Sequence, residues 1–308
     1  RLEDMTPCIA CLQGCVANMY AGNPVCCLTN PFLGHEAEPL EKAEEPKKVM
    51  VIGGGVAGLS AAFIAKERGH EVTLYEAGDV LGGNMRLAAY PPGKGDITNM
   101  IRNYIHRCQK DGVKIVMNCE VTPELIKEEK PDSVIIATGS KTLILPIEGI
   151  DNPAIIHGSD LLDGKRAVGK KVLVVGGGMV GCETAAFLGE QEHDVTVIEF
   201  RDTVGADVIH EHRVYLMKDF EDYGIKEITG AKVCKFYEDG VEYETADGVR
   251  HESRGYDSVI LSMGFRNYNP LEEKIKDLVP ETHVIGDAIR ARRALDATKE
   301  AYEVASRI

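Results

Sequence analysis

The sequence lacks an apolar run that approaches the roughly 20 residues needed to cross a bilayer. It also lacks a secretory signal, since residues 1–46 are polar, rich in cysteine and interrupted by proline. Positive charge is in deficit: 35 lysines and arginines stand against 49 aspartates and glutamates, a net charge of −14. Phosphates would be repelled by so acidic a chain, which argues against nucleic acid as a partner. We therefore expect a cytoplasmic protein that binds neither membrane nor nucleic acid.

The cysteines do not form the even framework of a small disulfide-stapled domain. Five of the nine cysteines crowd into residues 8–27 of the 308-residue chain. Clustering of this kind in a chain without a secretory signal favours a metal site. The other four are scattered and are predicted to be small core residues: Cys108, Cys119, Cys182 and Cys234.

Two glycine-rich segments of the same type lie 123 residues apart. The first fingerprint spans residues 53–58 (GGGVAG), and the second spans residues 176–181 (GGGMVG). Each follows an apolar strand-like run and begins an apolar helical run. A glutamate, Glu76 or Glu199, stands 23 residues after the first glycine of each. The sequence therefore predicts two βαβ units, in which a helix connects two parallel strands.

The glycines at the first, third and sixth positions of each fingerprint have different tasks. The first permits the tight turn from strand to helix, the next lets the backbone approach a pyrophosphate, and the last lets helix and strand pack closely. The positive end of the helix dipole then faces the phosphates, and the glutamate accepts hydrogen bonds from the adenosine ribose. One glycine turn can be purely structural, but two with matching glutamates predict two dinucleotide sites. The predicted contacts are Gly53, Gly55, Ala57, Gly58 and Glu76 at the first site, and Gly176, Gly178, Met179, Val180, Gly181 and Glu199 at the second.

Later strand ends resemble those of two-dinucleotide flavoproteins such as the glutathione reductase-like family. Small residues follow two buried strands at 137–139 (ATG) and 263–264 (MG), and Gly286-Asp287 precedes a last helix over residues 290–307. The resemblance covers residues 47–308 and implies FAD at the first fingerprint and a nicotinamide nucleotide at the second. In that family the aspartate of the Gly-Asp pair contacts the flavin ribityl chain; Asp287 can also be the N-cap of the last helix. Further cofactor contacts are implied at Gly83, Arg86, Val121, Ala137, Thr138, Gly139, Gly264, Gly286 and Asp287.

The predicted architecture is α/β, with two Rossmann-like dinucleotide-binding domains, the second inserted in the first. The FAD-binding domain is predicted at residues 47–152 and 266–308, the NAD(P)H-binding domain at 153–265, and an N-terminal appendage at 1–46. The glutathione reductase-like family often carries a redox disulfide. Here the residues after the Leu-Gly-Gly run at 81–83 are Asn84, Met85 and Arg86, with no cysteine. A disulfide reductase is therefore not expected, and electrons have to leave the flavin by another route.

Four cysteines of the appendage have the spacing Cys-x2-Cys-x3-Cys-x11-Cys: Cys8, Cys11, Cys15 and Cys27. Four thiolates suit a [4Fe–4S] cluster or a zinc ion. Three close ligands with a remote fourth are more typical of the cluster, which can also carry electrons beside a flavin domain. Cys26 competes with Cys27 for the fourth position, and a structural metal site is the alternative.

The run at 5–15 (MTPCIACLQGC), with 27–31 (CLTNP) and His35-Glu36, closely resembles the iron–sulfur segment of the 2,4-dienoyl-CoA reductase, 2-enoate reductase and trimethylamine dehydrogenase family. Together with the flavoprotein part, the resemblance covers the whole chain, and the C-L-x-N-P run implies Cys27 as the fourth ligand. It implies electron transfer from NADH through FAD and a [4Fe–4S] cluster to FMN, and finally to the C=C bond of a 2-enoate. The family's FMN-binding TIM barrel precedes the cysteines and has no counterpart here. We therefore expect that barrel as a partner, in an enzyme that can be a homo-oligomer.

Two glutamates carry the finer expectations of the resemblance. Glu183 matches the glutamate of the family's GxGxxGxE motif, near the nicotinamide, and is the candidate catalytic residue; a surface helix position is the alternative. Glu199 repels a 2′-phosphate, so NADH is expected rather than NADPH, although Arg201 could reach such a phosphate. The alternative function is a nucleotide-bound structural or electron-transfer module of an amine dehydrogenase-like enzyme, without NADH oxidation.

Overall fold

The computed structural model describes residues 1–308, apart from the side chain of Leu2. The helices, in chain order, are α1 (Val16–Tyr20), α2 (Val56–Glu67), α3 (Asn84–Leu87), α4 (Ile97–Asp111), α5 (Pro123–Glu129), α6 (Gly158–Leu162), α7 (Met179–Glu190), α8 (His210–Asp222), α9 (Glu272–Ile275) and α10 (Ala294–Ala305). The strands, in chain order, are β1 (Lys48–Ile52), β2 (Glu71–Tyr75), β3 (Lys114–Val116), β4 (Ser133–Ile136), β5 (Ser140–Thr142), β6 (Ile155–His157), β7 (Lys171–Val175), β8 (Asp194–Ile198), β9 (Lys226–Ile228), β10 (Lys232–Tyr237), β11 (Gly240–Glu244), β12 (Arg250–Arg254), β13 (Ser258–Leu261), β14 (Phe265–Asn267) and β15 (Glu281–Val284).

The chain divides into two compact units. Unit 1 consists of Arg1–Ala89, Asp96–Lys141 and Arg266–Ile308, and unit 2 consists of Tyr90–Gly95 and Thr142–Phe265. Residues 142–152, which the sequence assigns to the first domain, group with unit 2. Among the described residues, no helix has the length and apolar character that a membrane span requires.

Each unit is built on a five-stranded sheet. The strand order is β15-β4-β1-β2-β3 in unit 1 and β6-β13-β7-β8-β9 in unit 2, and the strands are parallel. Unit 2 adds the antiparallel sheet β10-β11-β12, and β5 pairs with β14. The central strand of each parallel sheet, β1 or β7, leads into a fingerprint. The predicted α/β architecture with parallel sheets is therefore confirmed.

The sequences of the central strands explain their position. β1 (KVMVI) and β7 (KVLVV) bury their last four residues, as expected for parallel strands that are covered on both faces. The helices that follow them are rich in small residues and begin very close to the preceding turn. A Cβ at Gly58 would overlap the carbonyl oxygen of Gly53, and a Cβ at Gly181 would overlap that of Gly176. Only glycine therefore permits this packing of helix on turn.

The cysteine segment, residues 1–46, packs against unit 1, to which it belongs. Leu28 is fully buried, and its carbonyl accepts a hydrogen bond of 2.9 Å from the buried hydroxyl of Tyr104. The Phe32 ring meets the Tyr302 ring edge to face, with centroids 5.6 Å apart. Helix α1 in the same segment buries none of its residues, and Met19 and Tyr20 are 58% and 76% exposed. The segment thus has one face anchored on unit 1 and one apolar face open.

Candidate dinucleotide and cysteine sites

The first fingerprint forms the turn from β1 into α2. Gly53 has a φ of 109°, in the region that favours glycine, and a Cβ there would overlap the carbonyl of Ala137. Gly55 has an extended backbone, and the nearest neighbour of a Cβ there would be the Cα of Gly83, at 4.0 Å. Gly55 therefore borders an open concavity at the N-terminus of α2. That concavity suits the pyrophosphate of a dinucleotide.

The Glu76 carboxylate is fixed beside the first fingerprint by two backbone donors. Its Oε2 accepts the N–H of Gly54 at 2.6 Å, and its Oε1 accepts the N–H of Gly78 at 2.7 Å. An ionised carboxylate has acceptor capacity beyond these two bonds. Glu76 can therefore also accept the hydroxyls of an adenosine ribose.

The second fingerprint repeats this geometry between β7 and α7. Gly176 has a φ of 105°, and a Cβ there would overlap the carbonyl of Ser262. Glu199 Oε2 accepts the N–H of Gly177 at 2.5 Å, and its Oε1 accepts the N–H of Arg201 at 2.9 Å. The two glutamates predicted from their spacing thus hold equivalent positions in the two units. Met179 and Val180 lie in the first turn of α7, next to the fingerprint.

The remaining predicted contacts of unit 1 gather at the carboxyl ends of its strands. Ala137, Thr138 and Gly139 follow β4 directly, and Gly286 follows the neighbouring strand β15. A Cβ at Gly286 would come within 3.1 Å of the Ala57 Cβ, so this turn lies against the start of α2. The carboxyl edge of an open parallel sheet is the usual ligand-binding edge.

Asp287 is held by two hydrogen bonds at this edge. Its Oδ2 accepts the hydroxyl of Ser140 at 2.8 Å, and its Oδ1 accepts the N–H of Arg292 at 3.0 Å. Helix α10 begins only at Ala294 and has Arg293 as its N-cap. The interpretation of Asp287 as the N-cap of the last helix is therefore wrong.

Four further predicted contacts occupy different surroundings. Gly83 lies beside Gly55, with a Cβ position 3.1 Å from the Gly55 Cα, and Arg86 lies in the short helix α3. The side chain of Val121 is 5% exposed and belongs to the core, so a ligand could meet only its backbone. Gly264 of unit 2 has a φ of 98° and open space where a Cβ would point.

Glu183 on α7 is a buried acid. It is 8% exposed, so its interpretation as a surface residue is wrong. Burial raises the pKa of Glu183, and the ammonium of Lys94, with which it forms an ion pair, opposes this rise. Lys94 is 89 positions earlier, in the Tyr90–Gly95 segment of the same unit. No local pattern in the sequence predicts this pair, because the two residues do not share an element and lie 89 positions apart.

The four cysteines of the predicted metal site lie near one another in the cysteine segment. Burial raises the pKa of Cys11, and the charges of Cys27, Cys15 and Cys8 raise it further. Ala10 and Leu12, on either side of Cys11, have φ values of 51° and 54°. Non-glycine residues in this region are uncommon and concentrate where the chain is held for a function.

The hydrogen-bond partners of the two adjacent thiols, Cys26 and Cys27, differ. The Sγ of Cys27 lies 3.3 Å from the hydroxyl of Thr29, whereas the Sγ of Cys26 accepts a hydrogen bond of 3.4 Å from the Asn18 amide. Within the described part of the chain, no three His, Cys, Asp or Glu side chains are grouped as ligands of a single metal ion. The ligand set therefore stays a prediction.

The scattered cysteines agree only in part with their predicted core role. Cys108 and Cys182 are buried, and burial raises the pKa of each thiol to about 12. Cys119 and Cys234 are partly exposed. All nine thiols of the described chain are free.

Residues 47–285 match the family model described as pyridine nucleotide-disulphide oxidoreductase. The chain belongs to this family. Its members are flavoprotein oxidoreductases that bind FAD and NAD(P)H, and the two concavities and paired glutamates described above suit two dinucleotides. The chain is thus an oxidoreductase by family.

Known relatives confirm the resemblance to the enoate reductase group. The chain is 34% identical to a cinnamate reductase of Clostridium sporogenes, over 100% of this chain and 46% of that protein. It is 33% identical to an NADH oxidase of Thermoanaerobacter brockii, over 100% of this chain and 48% of that protein. A solved structure of 2-naphthoyl-CoA reductase in complex with 2-naphthoyl-CoA matches with a TM-score of 0.95 and 33% identity, over 100% of this chain and 47% of that one. The chain thus spans about half the length of the curated relatives it matches.

Proposed function

We propose that this chain is the NADH-oxidising part of a 2-enoate reductase-like flavoenzyme. The observation that carries the proposal is the duplicated fingerprint, in which Glu76 and Glu199 each accept the N–H of the middle glycine of a strand–helix turn. Two such sites in one chain suit a nicotinamide donor and a flavin acceptor. When bound, these groups and a [4Fe–4S] cluster supply the redox chemistry: hydride transfer to the flavin and one-electron transfer through the cluster.

FAD is assigned to the first fingerprint. Gly55 and Gly83 leave room for the pyrophosphate, and Glu76 is positioned for the adenosine ribose. Asp287, fixed by Ser140 and Arg292, offers a carboxylate at the same sheet edge for the ribityl hydroxyls. These donors and acceptors would hold and orient the flavin while leaving its redox chemistry unchanged.

NADH is assigned to the second fingerprint. The Glu199 carboxylate accepts ribose hydroxyls and disfavours the 2′-phosphate of NADPH by charge repulsion. Glu183 is buried two residues beyond the fingerprint and forms an ion pair with the partly exposed Lys94. The role proposed for Glu183 is to orient the nicotinamide end of the nucleotide, with Lys94 keeping its carboxylate charged.

The cysteine segment is assigned a [4Fe–4S] cluster on Cys8, Cys11, Cys15 and Cys27. Four thiolates match the ligand demand of such a cluster, and the left-handed residues beside Cys11 are compatible with a loop that wraps around it. When bound, the cluster would supply one-electron transfer, which a zinc ion in the same thiolates would not. The final acceptor would be FMN in a separate barrel domain, and the exposed apolar face at Met19 and Tyr20 would contact that domain.

An anaerobic titration with NADH tests the donor side of this proposal. FAD-loaded protein should lose its flavin absorbance on addition of NADH and should reduce ferricyanide without reducing cinnamate. Unchanged flavin absorbance would favour the structural nucleotide-bound module instead. Reduction of cinnamate by this chain alone would show that the enoate site lies within these 308 residues.

Replacement of each adjacent cysteine tests the cluster. Cys27→Ser should abolish the broad visible absorbance of the cluster, and the matched variant Cys26→Ser should retain it. Iron and acid-labile sulfide contents should follow the same pattern. The opposite result would make Cys26 the fourth ligand.

A further inference from the structure

The two fingerprints differ in one charged group that borders the phosphate concavity. In unit 1, the nearest neighbour of a Cβ on Gly55 would be the Cα of Gly83. In unit 2, a Cβ on Gly178 would lie 3.5 and 3.6 Å from the two carboxylate oxygens of Asp207. The Asp207 carboxylate therefore lines the second concavity at the position where backbone lines the first concavity.

The Asp207 carboxylate uses the same donors that a phosphate would use. Its Oδ1 accepts the N–H of Met179, the first residue of α7, at 2.8 Å. The free N–H groups and the partial positive charge of a helix N-terminus attract any anion. A phosphate at this helix N-terminus would need the donor that Asp207 already occupies.

The loop that carries Asp207 is firmly attached. Gly205 donates its N–H to the carbonyl of Gly177 at 2.7 Å, and the side chain of Val204 is fully buried. The guanidinium of Arg213 donates to the Thr203 hydroxyl at 2.9 Å and to the Val204 carbonyl at 3.1 Å. Asp207 itself lies at the exposed surface of this loop.

The first unit has the same loop without the charge. There, Gly82 donates its N–H to the carbonyl of Gly54 at 2.8 Å, as Gly205 does to Gly177. Two residues after Gly82 comes Asn84, and two residues after Gly205 comes Asp207. The repeat offset of 123 residues therefore pairs a neutral amide in unit 1 with a carboxylate in unit 2.

We infer that Asp207 is an affinity-setting residue of the second site, whose carboxylate competes with the pyrophosphate of the nicotinamide nucleotide. This inference rests on the proposed function. A flavin remains bound through many turnovers, whereas an oxidised nicotinamide nucleotide has to leave after each one. When the phosphates leave, the Asp207 carboxylate can take their place as the acceptor of the Met179 N–H, and this lowers the free-energy cost of releasing the oxidised nucleotide.

The test measures dissociation constants of the FAD-loaded chain for NADH, ADP-ribose and adenosine. Asp207→Asn removes the charge but keeps a side-chain oxygen that can accept from the helix N-terminus, so the fold should be retained. We expect this variant to bind NADH and ADP-ribose about two- to fivefold more tightly. Adenosine, which has no phosphate, should bind with unchanged affinity. The matched control is Asp202→Asn, which removes another exposed charge from the same connection between β8 and α8.

The outcomes separate this inference from the proposal on which it rests. Unchanged or weaker binding of NADH to Asp207→Asn, with measurable binding to the wild type, would contradict the inference alone. Equal tightening in Asp202→Asn, or equal tightening for adenosine, would also contradict it, because the effect would then be one of general charge. Failure of the wild type and of every variant to bind NADH or ADP-ribose would contradict the proposed function, and the inference with it.

Discussion

The first and second fingerprints have the same backbone and different polar surroundings. Each has a left-handed first glycine, a glutamate bonded to the N–H of the middle glycine, and a last glycine packed on the turn. Two of the positions that differ carry a charge in unit 2 only: Ser60 of unit 1 corresponds in the repeat to Glu183, and Asn84 to Asp207. The two units thus share one backbone scaffold and differ in the ionisable side chains beside it.

The largest expected effect is the loss of stability on replacing the last glycine of either fingerprint. This loss should be similar in the two units, because the two turns pack alike. Gly58→Ala and Gly181→Ala each force a Cβ into a backbone carbonyl and should lower the free energy of unfolding by about 3 kcal/mol. Denaturant unfolding measures this loss. The matched controls, Gly55→Ala and Gly178→Ala, place a Cβ in open or ordinary van der Waals space and should cost far less. Equal stability of the two pairs would show that helix and turn are not in the contact described.

Nucleotide preference should distinguish the two glutamates. With ferricyanide as acceptor, kcat/KM should favour NADH over NADPH by about tenfold to a hundredfold, because a charged hydrogen bond to the ribose is worth about 1.5–3 kcal/mol. Glu199→Gln should reduce this preference, and Glu76→Gln should leave it unchanged. Equal kcat/KM values for both nucleotides in the wild type would contradict the role of Glu199 and point to Arg201 as a phosphate ligand.

The smallest effect should be the pH dependence of stability that Glu183 introduces. Burial raises the pKa of the Glu183 carboxyl in the folded state. The folded state therefore favours the neutral carboxyl, and the stability that follows is fully present below the ordinary glutamate pKa and is lost as the pH rises through the raised pKa. Glu183→Gln cannot ionise and should gain in melting temperature, relative to the wild type, as the pH rises from about 4 to 7. The control is Glu190→Gln, at an exposed position of the same helix. If the melting temperature of Glu183→Gln instead rises relative to the wild type as the pH falls, the charge of Lys94 lowers the pKa of Glu183 more than burial raises it.

The sequence predicted the elements whose causes are local. Glycine spacing, β-branched runs and the glutamates at strand ends located both βαβ units, because turn geometry and strand burial depend on neighbouring residues. The sequence missed the Lys94–Glu183 pair, because only the folded chain brings the Tyr90–Gly95 segment to α7.

Two further differences have physical reasons. The last helix begins at Ala294 rather than near residue 290, because the Asp296 carboxylate accepts the N–H of its N-cap residue, Arg293, at 3.2 Å. Asp287 therefore lies at the sheet edge, outside the helix. Asp207 was also missed, although an alignment of the two repeats would have revealed it as the charged counterpart of Asn84. A comparison within one chain is therefore informative where motif spacing alone is not.

The most direct test of the central claim, one dinucleotide for each fingerprint, is to fill each concavity in turn. FAD content and NADH affinity would be measured for Gly55→Val and for Gly178→Val, both at extended backbone positions that accept a side chain. The account predicts that Gly55→Val is purified without flavin, and that Gly178→Val retains FAD but no longer binds NADH. Full FAD in Gly55→Val, or loss of FAD in Gly178→Val with NADH binding retained, would contradict it.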